Sequence, residues 1–172
     1  MKEKILFVNS CVRGDNESRT LALAKTALSR LDGDIEEIRL ADANLKPLDA
    51  AGLAKRAESA EKNDFSGPVY DCAKQFAACD TVVIAAPFWD YSFPAFLKIY
   101  IESLCVGGLT FLYGSDGKNR EQVRKSARGG GGIRAEIFQY RGEIFRQMVS
   151  RRLFRYICRC VELGERNESA LV

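Results

Sequence analysis

The sequence predicts an α/β fold, a doubly wound parallel sheet with helices on both faces. Three observations carry that expectation. Short apolar runs alternate with segments of helical periodicity along roughly the first two-thirds of the chain. One of those runs, Thr81-Val-Val-Ile-Ala-Ala86, is β-branched and free of charge, which suits a strand covered on both faces. No internal repeat or linker divides the 172 residues, so a single domain over 1–172 is expected, long enough to bury roughly two-thirds of its unfolded surface.

The elements follow in order. Ile5-Leu-Phe-Val8 reads as the first strand. From Ser18 to Leu31, the residues Leu21, Ala24, Leu28 and Leu31 recur at helical spacing, with Ser18 placed to cap them. Ile35 to Leu40 makes a second, half-exposed strand, and helical stretches follow from about Asp49 to Lys62 and from Val69 to Cys79. Thr81–Ala86 is the third strand and a central one. Pro94 then takes the first position of a helix that continues through Ala95–Glu102. A doubly wound sheet needs a fourth strand, which is doubtful here. Residues 119–132, "NREQVRKSARGGGG", offer no apolar run, and the next is Tyr156–Val161.

Composition excludes several kinds of chemistry. Histidine is absent, which removes Ser-His and Cys-His catalysis and the commonest zinc ligand, so no metal is expected. The six cysteines, Cys11, Cys72, Cys79, Cys105, Cys158 and Cys160, form no C-x-x-C pair, and "MKEKILFVN" enters a strand pattern at once with no signal peptide. Free thiols in a reducing cytoplasm are the expectation. No apolar run approaches the roughly 18 residues of a membrane span. The net charge of +3 hides an asymmetry, because residues 1–117 carry 13 Lys+Arg against 17 Asp+Glu while residues 118–172 carry 13 against 6. That positive charge is scattered arginine without the spacing of a nucleic-acid module, so neither nucleic acid nor membrane is an expected partner.

Two loops are placed to carry function. The first, "NSCVRGDNESRT" at residues 9–20, joins the first strand to its helix. A helix N-terminus presents unpaired N–H groups and partial positive charge, a setting for a phosphate. Ser10, Ser18 and Thr20 add hydroxyls, and Arg13 or Arg19 adds a charge-assisted bond. An ordinary capped helix with a solvated loop accounts for the same residues. The second loop, Pro87-Phe-Trp-Asp-Tyr91, holds the single tryptophan of the chain. It offers Pro87, Phe88, Trp89, Asp90 and Tyr91 either to a planar ring or to a core or dimer contact. Doubly wound sheets bind ligands outside the carboxyl ends of their strands where the strand order reverses, which brings the two loops side by side. Phosphate at one end and a flat heterocycle at the other together describe flavin mononucleotide.

The stretch "APFWDYSFPAFLKIYIESLCVGGLTFLYG", preceded by the 9–20 loop, resembles the flavodoxin-like FMN-dependent NAD(P)H oxidoreductases, the azoreductase and quinone reductase group. Their third-strand turn reads Pro-x-(Tyr/Trp)-Asn-x-Ser-x-Pro-Ala-x-Leu-Lys, matched by Pro87, Trp89, Ser92, Pro94, Ala95, Leu97 and Lys98. Their following Gly-x-Thr-Phe-x-Tyr segment is matched by Gly108, Thr110, Phe111 and Tyr113. The resemblance covers about residues 4–117. Low-molecular-weight tyrosine phosphatases use a similar sheet with a Cys-x5-Arg loop, but seven residues separate Cys11 from Arg19 and the downstream Asp-Pro acid is missing. Cys11 therefore reads as a small, partly buried thiol without a catalytic role.

Departures from the family pattern mark the limits of the likeness. Asp90 stands where the family often has asparagine near the flavin, and a strand with a Thr-x-Gly-Gly type loop gives way to charged residues, with Gly129 and Gly130 in Arg128-Gly-Gly-Gly-Gly-Ile133 as its counterpart. Residues 135–149, "AEIFQYRGEIFRQMV", and the terminal "ESALV" look like the family's last helices. A divergent subfamily or a disrupted reading frame would each produce such a C-terminal third.

The resemblance implies noncovalently bound FMN, NADH or NADPH as co-substrate, and quinone, azo or nitroaromatic acceptors. It also implies a homodimer, with Phe88, Trp89 and residues 109–113 as the contact region, and chemistry on the flavin that requires no catalytic side chain. An electron-carrier flavodoxin and a flavin-less remnant are the alternatives. The basic C-terminal third speaks against the first, since such carriers present an acidic face.

Overall fold

A computed structural model describes residues 2–14, 16–89, 92–113, 119–121, 134–141 and 143–150, those from 111 onward by their backbone. The elements run β1 (Glu3–Asn9), α1 (Arg19–Leu28), β2 (Gly33–Arg39), α2 (Ala50–Lys62), a 3-10 turn (Pro68–Tyr70), α3 (Asp71–Ala78), β3 (Thr81–Ala85) and α4 (Ala95–Leu104). Four further strands follow: β4 (Phe111–Tyr113), β5 (Asn119–Glu121), β6 (Arg134–Arg141) and β7 (Glu143–Ser150). The main sheet has the order β2-β1-β3-β6-β7, while β4 and β5 pair separately. Pairing is parallel from β2 through β6, and β7 joins antiparallel.

Side-chain alternation along the strands divides the core into two layers. Leu6, Val8, Val82 and Ile84 face α3 and α4, where they meet Phe76, Cys79, Leu97, Tyr100 and Leu104. Ile5, Phe7, Val83 and Ala85 face the other way, onto Leu21, Ala24 and Leu28 of α1. Helices therefore cover both faces of the sheet, as the sequence predicts. Every residue of β3 is buried. Full burial of one such aliphatic side chain contributes about 1.5–3 kcal/mol, so Thr81–Ala85 joins the buried run Ile5–Val8 of β1 as a main source of stability in the sheet.

Helix α2 differs from its neighbours, because none of its residues is buried and Leu53 is 56% exposed. What ties it down is polar. The Arg56 guanidinium donates to the Glu102 carbonyl at 2.9 Å and the Cys105 carbonyl at 3.3 Å, satisfying groups at the C-terminal end of α4. Burial pushes the Arg56 pKa down from its usual value.

Four sequence expectations are corrected. Pro94 is the N-cap of α4 rather than its first residue, with ψ at 146°, and its carbonyl accepts the Leu97 N–H. Helix α1 ends at Leu28, so Leu31 lies beyond it and is 38% exposed. A fourth strand does exist, as β6, paired so that Thr81 lies opposite Arg134 and Ala85 opposite Phe138. Residues 135–141 and 143–149, expected to be helical, instead lie in β6 and β7, because pairing of β6 with β3 and of β7 with β6 overrides short segments whose periodicity decides nothing. The apolar run Tyr156–Val161 and Cys158 and Cys160 lie outside the described residues.

Candidate functional site

The loops after β1 and β3 meet because their strands are neighbours in the sheet. Ser10 joins them directly. Its backbone N–H donates to the Ala85 carbonyl at 3.0 Å and its hydroxyl donates to the same oxygen at 2.8 Å. Ser10 is 1% exposed, so this hydroxyl proton is committed to the strand end rather than turned toward a ligand.

Beyond Ser10 the first loop turns outward. Val12, Arg13 and Gly14 are exposed, and a Cβ built on Gly14 would meet no atom within 4 Å, so the loop is not packed against the protein there. The chain then folds back, with the Gly14 carbonyl accepting the N–H groups of Glu17 at 3.0 Å and Ser18 at 3.2 Å. Ser18 caps α1, its side-chain oxygen accepting the Leu21 N–H at 3.2 Å while its carbonyl accepts that of Ala22. Ser18 and Thr20 are 8% and 4% exposed, whereas Arg13 and Arg19 are exposed. An N-terminal helix turn with buried hydroxyls and surface arginines around an open loop has the donor set that an anion requires.

Cys11 lies beneath this loop at 3% exposure. Burial pushes its thiol pKa up, partly offset by the Ser18 hydroxyl and by the positive charge of Arg39. A thiol held neutral in this way is a poor nucleophile at pH 7, consistent with a packing role. Among the described residues no cluster of Cys, Asp and Glu could hold a metal ion, and the four described cysteines are free thiols.

The second loop is built from different materials. Ala85 and Ala86 are buried, Pro87 and Phe88 are half-buried, and Trp89 is 42% exposed. Trp89 and Ser92 exchange both backbone hydrogen bonds, at 2.9 and 2.7 Å, closing the loop on itself. Those two N–H groups are thereby used. Phe96, on the first turn of α4, is 38% exposed. Asp90 and Tyr91 lie outside the described residues, as do Gly129 and Gly130.

The Gly108-x-Thr110 segment has a structural explanation. Gly108 takes φ +85°, open to glycine at low cost, and Thr110 Oγ1 donates to the Leu104 carbonyl at 2.5 Å while accepting the Val106 N–H at 3.1 Å. These two residues finish α4 and turn the chain into β4. Asn9 was not among the residues singled out in the sequence. It is 1% exposed and engages Cys11, Glu37 and Leu40, and its place just after the apolar run of β1 was the available signal.

Residues 3–144 match the family described as having the flavodoxin-like fold. The chain belongs to that family. An FMN-dependent NADH:quinone oxidoreductase of Clostridium perfringens is 31% identical over 138 residues, spanning 74% of this chain and 70% of the relative. An FMN-dependent NADH:quinone oxidoreductase 2 of Clostridium acetobutylicum is 34% identical over 148 residues, spanning 74% and 68%. Among solved structures, an FMN-dependent NADH-azoreductase of Bacillus anthracis in complex with FMN superposes with a TM-score of 0.62 at 21% identity, over 80% of this chain and 68% of that one. An NAD(P)H:quinone oxidoreductase of Methanothermobacter marburgensis gives a TM-score of 0.61 at 17% identity, over 96% and 80%. At those identities the structural likeness establishes the flavodoxin-like fold of this family member.

Proposed function

We propose that this chain is an FMN-dependent oxidoreductase that passes electrons from NADH or NADPH to quinone, azo or nitroaromatic acceptors. The observation that carries the reading is the junction at Ala85. One carbonyl binds Ser10 of the first loop and ends the strand that leads into Pro87–Trp89, which supports reading the two loops as parts of one site. The relatives named above are FMN-dependent NADH:quinone oxidoreductases.

The residues present fit FMN. The first turn of α1, the Ser18 and Thr20 hydroxyls and the exposed Arg13 and Arg19 would hold the phosphate, with Arg13 and Arg19 offsetting its charge. Pro87, Phe88 and Trp89 would bound the ring, with Asp90 and Tyr91 next to them in sequence and Gly129 and Gly130 proposed to complete the site. Bound FMN supplies the hydride and electron transfer. The protein's part is to fix the phosphate, orient the ring plane and leave one side of it open to a flat substrate. No proton-transfer side chain is required.

A homodimer in the cytoplasm completes the reading. Trp89, within the aromatic loop, and Phe96, on the first turn of α4, are 42% and 38% exposed, large apolar side chains that a partner copy could cover. No helix among the described residues is long and apolar enough to cross a membrane.

The test is spectroscopic. Purified apoprotein is incubated with FMN, desalted, and its visible spectrum is recorded before and after NADH or NADPH is added under argon, then with a quinone. Retained flavin bleached by the nicotinamide and restored by the quinone is expected. Retained flavin that neither nicotinamide reduces would favour an electron carrier, and no retained flavin would favour a remnant.

A further inference from the structure

Asn9, the last residue of β1, has three polar groups engaged at once. Its carbonyl accepts the Leu40 N–H at 2.8 Å, its side-chain oxygen accepts the Cys11 N–H at 3.0 Å, and its side-chain amide donates to the Glu37 carboxylate at 2.8 Å. The bond to Cys11, two residues on, is an Asx turn, which mimics a backbone turn and here directs the chain out of the sheet toward Val12–Gly14. The bond to Glu37 fixes the rotation of the amide from the β2 side. Together the two bonds hold the Asn9 side chain between β2 and the start of the loop.

We propose that Asn9 is the positioning residue of the first loop: anchored by Glu37, its amide aims residues 11–14 so that the N-terminal turn of α1 and the loop donors converge on the phosphate of FMN. This rests on the FMN reading above. The side-chain requirement is narrow. Aspartate keeps the acceptor for the Cys11 N–H but sets a carboxylate against the Glu37 carboxylate, and alanine has neither function. The amide can therefore be dissected.

Apoprotein variants would be titrated with FMN and with riboflavin, which lacks the phosphate, by quenching of flavin fluorescence. Asn9→Asp is expected to weaken FMN about tenfold, equivalent to about 1.4 kcal/mol, with riboflavin changed less than about threefold. Adding Glu37→Gln to that variant reverses the polarity of the bond, the new amide donating and the new carboxylate accepting, and is expected to recover most of the loss. Glu37→Ala is the safeguard against a folding defect, because Glu37 is exposed. Relief of negative charge alone would tighten FMN binding, whereas loss of the anchor weakens it, and weakening is expected. Failure of the paired substitution to restore binding, or tighter FMN binding by Glu37→Ala, would overturn the role of Asn9. Equal wild-type affinity for FMN and riboflavin would instead overturn the phosphate reading itself, and the proposal with it.

Discussion

The loop after β1 is tied to its neighbouring elements at its two ends, whereas the loop after β3 carries a bridge between its own residues Trp89 and Ser92. In the first, Asn9, Ser10 and Ser18 are each under 9% exposed and direct their hydrogen bonds to β2, β3 and α1. In the second, Trp89 and Ser92 bind one another, and the indole stands 42% exposed. The proposed roles, phosphate for the first loop and ring for the second, fit that difference. A phosphate is small and charged, and preorganised donors avoid a reorganisation cost on binding. A ring and a succession of flat substrates need a shelf that tolerates different outlines, a part the proline-stiffened aromatic loop is proposed to play.

Substitutions can break this contrast, beginning with the largest expected effect. Leu21 is fully buried on the α1 layer, and Leu21→Ala is expected to lower stability by about 2–5 kcal/mol through the cavity it leaves, measured by urea unfolding of the apoprotein. Ser18→Ala removes the cap and is expected to cost about 1 kcal/mol in the same assay, together with weaker FMN binding. An unchanged melting temperature and FMN affinity would detach the first loop from both roles. Trp89→Ala sits at the other pole, with stability altered by no more than about 0.5 kcal/mol and riboflavin and FMN weakened by the same factor. Selective loss of FMN in that variant would erase the division of labour between the loops.

A smaller effect comes from pH. The thiols of Cys11 and Cys72 and the phenol of Tyr100 are all raised from their ordinary values, chiefly by burial. The folded state therefore keeps protons that the unfolded chain releases first. Stability from these groups is whole below the ordinary thiol value of 9.0 and declines as pH rises above it. Urea unfolding between pH 7 and pH 10 should show a falling midpoint, and native Cys11 should resist iodoacetamide at pH 8 while it reacts once unfolded.

Local signals made much of this legible. The uncharged run at Thr81–Ala85 announced a central strand, and Ser18 followed by Leu21, Ala24 and Leu28 announced a capped, one-sided helix. Ser10 was a different matter. It reads as a phosphate donor because it lies in the right loop, but its hydroxyl is claimed by a carbonyl 75 positions away, and no local pattern encodes that contact. Asn9 escaped for the same reason, its partner Glu37 lying 28 positions away on another strand. In residues 135–149 the apolar positions fit neither a helix nor a strand cleanly, so the neighbour in the sheet decided.

Helix α2, tied through Arg56 to the end of α4 and without a buried residue of its own, has a consequence for the way the molecule opens. Little apolar surface is lost from the core if it detaches, so it forms a cooperative unit of low free energy within a more stable body. Its amide hydrogens should exchange with deuterium by local opening, well before those of β3, which require global unfolding. Arg56→Ala should speed exchange through Ala50–Lys62 and leave the β3 amides as slow as before.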